Sequence, residues 1–220
     1  DEGGCVTDGT ALGIAPRVAV IGMAEKGSAD FLLTARDAGG HSSQPGPGTA
    51  VGRIARAAVA IEESPMPQRL LHAVSQTLTA AAPHMDKAAS FLLSHQKTFW
   101  GPLKKVLAQK RATNAMTRTT TAVTMASGAA ASNVLPELAS VTVNCRILPG
   151  DTIESVRRHL QEVAGEGVEV QLLAGFEPSP ESKQDETYEL LARLAGELAP
   201  DTVVTPYLMM AGSDARHYYA

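Results

Sequence analysis

From Ser140 to Leu148 apolar and polar residues take turns, with Val141, Val143 and Cys145 alternating against Thr142, Asn144 and Arg146. Successive side chains on a strand point to opposite faces, so this stretch predicts a half-buried strand whose polar face carries Asn144 and Arg146 together. Pro149-Gly150 closes it. Asp151 with Glu154 then predicts a capping box, opening a helix on which Ile153, Val156, Leu160 and Val163 make one apolar stripe. Val168 to Leu173 reads as a further strand, and Glu177-Pro178-Ser179-Pro180 ends the unit.

The same reading extends backwards. Arg118 to Met125 is rich in β-branched residues and predicts a strand, followed by a small-residue loop from Ala126 to Ser132. A strand at about Phe31 to Ala35 leads into a Gly- and Ser-rich loop, and Thr49 to Glu63 carries Val51, Ile54, Ala55, Ala58 and Ile61 at helical spacing before Ser64-Pro65-Met66-Pro67 stops it. Strand, helix, strand, strand, helix, strand is the order of a ferredoxin-like α+β unit. Between its first helix and second strand, residues 66–116 hold Leu70, Leu71, Val74, Leu78, Leu92, Trp100, Leu103 and Leu107, punctuated by Pro83 and Gly101-Pro102; this predicts two or three inserted helices. His72, His84 and His95 fall here without i, i+4 partners and receive no role.

Outside that unit lie two shorter pieces. Asp1 to Asp8 reads as an acidic, Gly-rich loop and Arg17 to Met23 as a buried strand. Tyr188, Leu191, Leu194, Ala195 and Leu198 share a helical phase, and Thr202 to Met209 predicts a strand that would pack with the N-terminal one. The expected organisation is therefore residues 28–179 as a complete inserted domain, with 1–27 and 180–220 as partial segments of one discontinuous α/β domain.

Composition excludes several classes. With 220 residues, 44% hydrophobic, the chain can bury a sizeable core; a net charge of -4 gives no footprint for nucleic acid, and no apolar run approaches the ~20 residues of a membrane span. Cys5 and Cys145 each lie in or beside a strand-like stretch and are expected to be buried free thiols. The chain opens without Met, within an apparent motif and without the regions of a signal peptide. It is expected to be a soluble piece of a longer protein, cytoplasmic or exported.

The chemistry centres on Gly39-Gly40-His41-Ser42-Ser43-Gln44-Pro45, where two glycines, serines and a proline hold an imidazole on a loop, free to exchange a proton or a hydrogen bond. A lone loop histidine is ordinarily just solvated. It stands, however, with Asp1-Glu2-Gly3-Gly4, Ala131-Ser132-Asn133-Val134-Leu135-Pro136, Val143 to Gly150 and Ala211-Gly212-Ser213-Asp214-Ala215-Arg216. In order and spacing the set resembles the M20 family of metallopeptidases, on its carboxypeptidase S and aminoacylase-like branch.

The resemblance implies a lid, or dimerisation, domain flanked by pieces of a catalytic domain. It implies that His41 reaches into the active site of a neighbouring subunit of a homodimer to stabilise an oxyanion, that Asn133 points at substrate, and that Arg216 pairs with the substrate's free carboxylate. Arg146 is a further substrate-binding candidate, although an arginine on a strand face is commonly a cross-strand charge partner. The substrate would be a peptide or an N-acyl amino acid. Full-length members hold two zinc ions per active site; of the ligands, only Asp1 or Glu2 is offered here, so the isolated chain is expected to be inactive and to bind no zinc. The competing expectation is a non-catalytic ferredoxin-like module for self-association or small-ligand binding, with an amino-acid-sensing domain as a further option.

Overall fold

The computed structural model describes residues 4–218. Two ten-residue strands, β3 (Gly27–Arg36) and β7 (Leu138–Ile147), pair antiparallel in unbroken register from Gly27↔Ile147 to Arg36↔Leu138. Their alternation does what period two requires: Phe31, Leu33, Val143, Cys145 and Ile147 are all fully buried on one face, while Asp30, Thr142, Asn144 and Arg146 share the other. The buried face is covered by α1 (Ala50–Glu63), through Ile54, Ala57 and Ile61, and by α6 (Ile153–Ala164), through Val156 and Leu160. Each of these larger apolar side chains contributes ~1.5–3 kcal/mol by burial.

Flanking strands β5 (Thr120–Ser127) and β8 (Val168–Phe176) complete a four-stranded sheet in the order β5-β7-β3-β8, antiparallel throughout. With the chain order β3-α1-β5-β7-α6-β8 this is the ferredoxin-like arrangement. Short strands β4 (Gly40–His41) and β6 (Val134–Leu135) form a separate two-stranded ribbon.

Between α1 and β5 lie four short helices, α2 (His72–Ala81), α3 (Lys87–Ser94), α4 (Trp100–Ala108) and α5 (Arg111–Thr117), one or two more than periodicity predicts. Helical phase alone could not resolve them, since each is ten residues or fewer and the breaks at Pro83 and 95–99 are irregular. Their apolar faces, with Leu78, Leu93, Leu103 and Leu107, form a second core that also takes in Ala24 and Leu208.

Those last two residues belong to another sheet. Strands β1 (Gly4–Thr7), β2 (Arg17–Glu25) and β9 (Thr202–Met209) pair in the order β1-β2-β9, β1 antiparallel and β9 parallel to β2. Parallel neighbours need a long crossover, and here it contains the whole four-stranded unit and its helices. Helix α2 lies against β9, where the buried Thr77 hydroxyl donates to Pro206 O at 2.7 Å, and α7 (Glu186–Leu198) precedes β9 in the chain.

Several sequence expectations need correction. Residues 4–7, expected in a loop, are a strand, because the segment can satisfy its backbone against β2. The α6 capping box uses Thr152 and Ser155, not Asp151 and Glu154. Asp151 is instead buried and paired with Arg69. Val51 is exposed on α1, whose buried stripe runs through Ala50, Ile54, Ala57 and Ile61, and Cys5 is exposed whereas Cys145 is buried.

Candidate active-site elements at the two ends of the sheet

His41 is not in an open loop; it sits on β4, directly opposite Val134 of β6. Gly39 and Gly40 lead into it at φ of +69° and +136°, and a Cβ at Gly39 would lie 2.7 Å from the Glu137 side chain, so both positions require glycine. The Ser42 amide donates to Asn133 O at 3.0 Å, which ties the histidine segment to the Asn-Val-Leu-Pro segment. The ribbon thereby brings together two residues 92 positions apart in the chain.

The imidazole is exposed, and its local contacts set its tautomer. The Ser43 amide donates to Nδ1 at 3.2 Å, and Ser43 Oγ lies 2.8 Å from the same atom. A backbone N–H can only donate, so Nδ1 accepts and the neutral ring carries its proton on Nε2. Among the described residues none takes up Nε2. His41 therefore presents a free N–H donor outward, at the tip of a ribbon.

Arg216 lies on a short 3₁₀ turn, Asp214–His217, after β9. Its guanidinium stacks over the ring of Phe176, 4.7 Å from the centroid, and its Nε donates to His217 Nε2 at 3.2 Å. Gly212 makes that stack possible: a Cβ there would come within 2.9 Å of the Phe176 ring. Arg216 lines a cleft of ≈ 530 Å³ with Glu25, Lys26, Phe176, Ser179 and His217. The cleft lies where the chain passes between the two sheets, at Glu25–Gly27 going in and at Phe176–Ser179 coming out.

This junction is tightly bonded. Glu25 N donates to Ser179 Oγ at 2.7 Å, Ser179 N to Glu25 O at 3.1 Å, and Lys26 N to Met209 O at 2.9 Å. Lys26 is buried, and its ammonium donates to Ala115 O and Arg118 O, carbonyls at the C-terminal end of α5. Burial, reinforced by the nearby positive charge of Arg146 and opposed by Asp151, pulls its pKa down to about 8. Asp151 in turn accepts from Thr119 at 2.5 Å and pairs with Arg69 at 2.8 Å.

Arg146 stands at this junction end. Its cross-strand neighbours are Ser28 and Thr120, and among the described residues no carboxylate forms an ion pair with it, so the cross-strand charge partner that a strand arginine commonly finds is missing. Asn144, two residues before it on the same face, donates to Asp30 at 2.7 Å. Asp1 and Glu2, the metal-ligand candidates, lie outside the described residues. Among the described residues no three His, Cys, Asp or Glu side chains come together as a metal-binding group.

The predicted site residues thus form two groups. His41 on the ribbon and Asn133 just before its second strand lie beyond Arg36 and Leu138; Arg216 in the junction cleft and Arg146, opposite Ser28, lie toward Gly27 and Ile147, although Arg146 does not line the cleft. Strand β3 runs between the groups for ten residues, ~30 Å. Sequence reasoning missed Glu25, Lys26 and Phe176. Glu25-Lys26, two charges ending an apolar strand just before a glycine, was a signal, but it reads equally well as an ordinary strand end.

A four-stranded lid-like unit inserted between two strands of a second sheet, with these motifs at its ends, defines a class. Residues 23–171 match the M20 family described as "Peptidase dimerisation domain", and the chain belongs to the M20 peptidase family. It is 32% identical, over 99% of its length, to the N-fatty-acyl-amino acid synthase/hydrolase PM20D1 of Mus musculus, covering 44% of that protein. It is 31% identical to the probable carboxypeptidase S-like 2 of Dictyostelium discoideum, over 94% of this chain and 40% of the relative. The chain therefore spans less than half the length of these relatives. Among solved structures, the Saccharomyces cerevisiae di-peptidase Dug1p superposes with a TM-score of 0.55 at 13% identity, over 89% of this chain and 45% of that one. AtUAH in complex with glyoxylate gives 0.53 at 14%, over 90% and 42%. At such identities the structural likeness speaks to fold alone. No helix among the described residues is long and apolar enough to cross a membrane.

Proposed function

We propose that this chain is the lid and dimerisation portion, with flanking catalytic-domain segments at 1–27 and 180–220, of a zinc-dependent M20 hydrolase that cleaves a peptide or N-acyl amide bond beside a free carboxylate. The observation that carries the reading is the ~30 Å of β3 between His41 and Arg216, since one small substrate cannot touch both within one protomer. In a homodimer, the exposed ribbon of one lid supplies His41 to the junction cleft of its partner. There the Nε2–H donates to the oxygen that becomes negative as the carbonyl turns tetrahedral, and Arg216 forks the substrate carboxylate. Asn133, bonded through its carbonyl to the histidine segment, accompanies it. The zinc ions would be held by ligands outside the described residues and would supply the activated water.

Relatives named for N-fatty-acyl-amino acids and for carboxypeptidase S-like activity agree in one respect: peptide and N-acyl amino acid alike leave a carboxylate beside the amide. Mixing two impaired variants of the complete enzyme, assayed with substrate well below the parent KM so that both are weak on their own, tests the arrangement. If His41→Ala and Arg216→Ala protomers are unfolded, combined and refolded, half of the dimers are mixed and each has one intact site, so about a quarter of the parent activity returns. No recovery above the separate variants would place both residues in one protomer's site and end this reading.

A further inference from the structure

The geometry points to Glu25 as a positioning residue that fixes Arg216 for the substrate carboxylate, an inference that rests on the carboxylate reading of Arg216 given above. Glu25 ends β2 and is buried, a place a carboxylate does not take on hydrophobic grounds. A buried carboxylate is costly unless its oxygens are bonded, and both are. Its two carboxylate oxygens accept from Ser213, one from the hydroxyl and the other from the amide at 3.2 Å. Ser213 is itself buried, and its Oγ accepts from Ala215 N at 3.2 Å, capping the turn that carries Arg216.

A chain of three bonds thus runs from the end of β2 to the residue before Arg216. It joins segments 188 positions apart. The backbone of Glu25 is held independently by Ser179, through two bonds, so the carboxylate has a fixed base from which to act. Phe176 stacks against the guanidinium itself. Arg216 is therefore aimed by both strands that cross the junction, the one entering the four-stranded unit and the one leaving it. Glu25 touches no substrate in this scheme; it orients the turn through charge-assisted bonds to Ser213.

The test compares Glu25→Ala and Glu25→Gln in the complete enzyme, on a substrate with a free carboxylate and on its methyl ester. Loss of the bonds to Ser213 is expected to raise KM for the acid on the order of 10-fold or more, to leave kcat within about 2-fold, and to leave the ester's KM unchanged. Glu25→Gln keeps an acceptor for Ser213 and should recover most of the loss. Amide hydrogen exchange of residues 212–216 gives a readout free of catalysis, and Glu25→Ala should speed it while strands β3 and β7 stay protected. A fall in kcat with KM unaltered, an equal rise in KM for acid and ester, or unchanged exchange in 212–216 would each overturn the assignment. Arg216→Ala with a normal KM for the acid would remove the carboxylate reading, and the exchange measurement would still decide whether Glu25 holds the turn.

Discussion

The two ends of the same antiparallel sheet are built in opposite ways. At the junction end, Glu25, Lys26, Asp151 and Ser213 are buried and cross-bonded, so Arg216 is presented from a fixed frame. At the far end, exposed His41 lies on a short two-stranded ribbon and exposed Asn133 in the turn just before its second strand, braced by Gly39, Gly40, the β4–β6 pairing and the Ser42–Asn133 bond. If the junction recognises a carboxylate as proposed, it benefits from preorganisation, because little ordering cost remains when the ligand arrives. On the proposed reading His41 enters another subunit, and a donor with that task has to project, which forbids burial in its own fold.

The contrast fails first if the two groups act alike. Replacing His41 by Ala in the complete enzyme should lower kcat by ~10²–10³-fold with little change in KM, as loss of an oxyanion donor does. Arg216→Ala should do the reverse, raising KM by about 10- to 100-fold for a free carboxylate with a smaller effect on kcat. Steady-state kinetics with both variants decides it; matching profiles would merge the two ends into one function.

Lys26 sharpens the comparison with a smaller effect. Its folded pKa, about 8, lies below the ordinary 10.5, so the folded state holds fewer protons between these values. Stability attributable to Lys26 is therefore fully present above about 10.5 and is lost as pH falls from there through 8. Chemical denaturation of the parent against Lys26→Met should show this as a difference in slope over that window, on the order of 3 kcal/mol across it. The same slope in both would mean that Lys26 keeps its charge at the junction.

The mildest test needs no substitution. Burial raises the Cys145 thiol to about 12, whereas Cys5 is exposed, so a thiol reagent at neutral pH should label one site per native chain and two after unfolding. Labelling of Cys145 at the rate of Cys5 would show that the four-stranded core opens readily.

Much of this fold was legible in the sequence. The β7 alternation held over its full length, the Thr202–Met209 strand matched its range, and the six-element order survived intact. Those successes rest on period two and on Pro and Gly punctuation. The short helices were less legible because two turns of helix carry too few apolar positions to fix a phase, and Val51 shows how a stripe can be drawn one residue off. Of the candidate residues, His41, Asn133 and Arg216 are named through the family resemblance of the ordered set of motifs that holds them, but nothing local tells which of them would be neighbours. Glu25 had no motif at all.

By itself the sequence determined what repeats within a few residues: strand faces, helix stripes, and the glycines that admit positive φ before His41. Only the tertiary structure decided that Asn133 joins His41, that Glu25 grips Ser213, and that β3 separates one group from the other by its length. The physical reason is range. Side-chain direction follows from backbone geometry over two to four residues, whereas a hydrogen bond between segments 188 positions apart exists only after every element between them has packed.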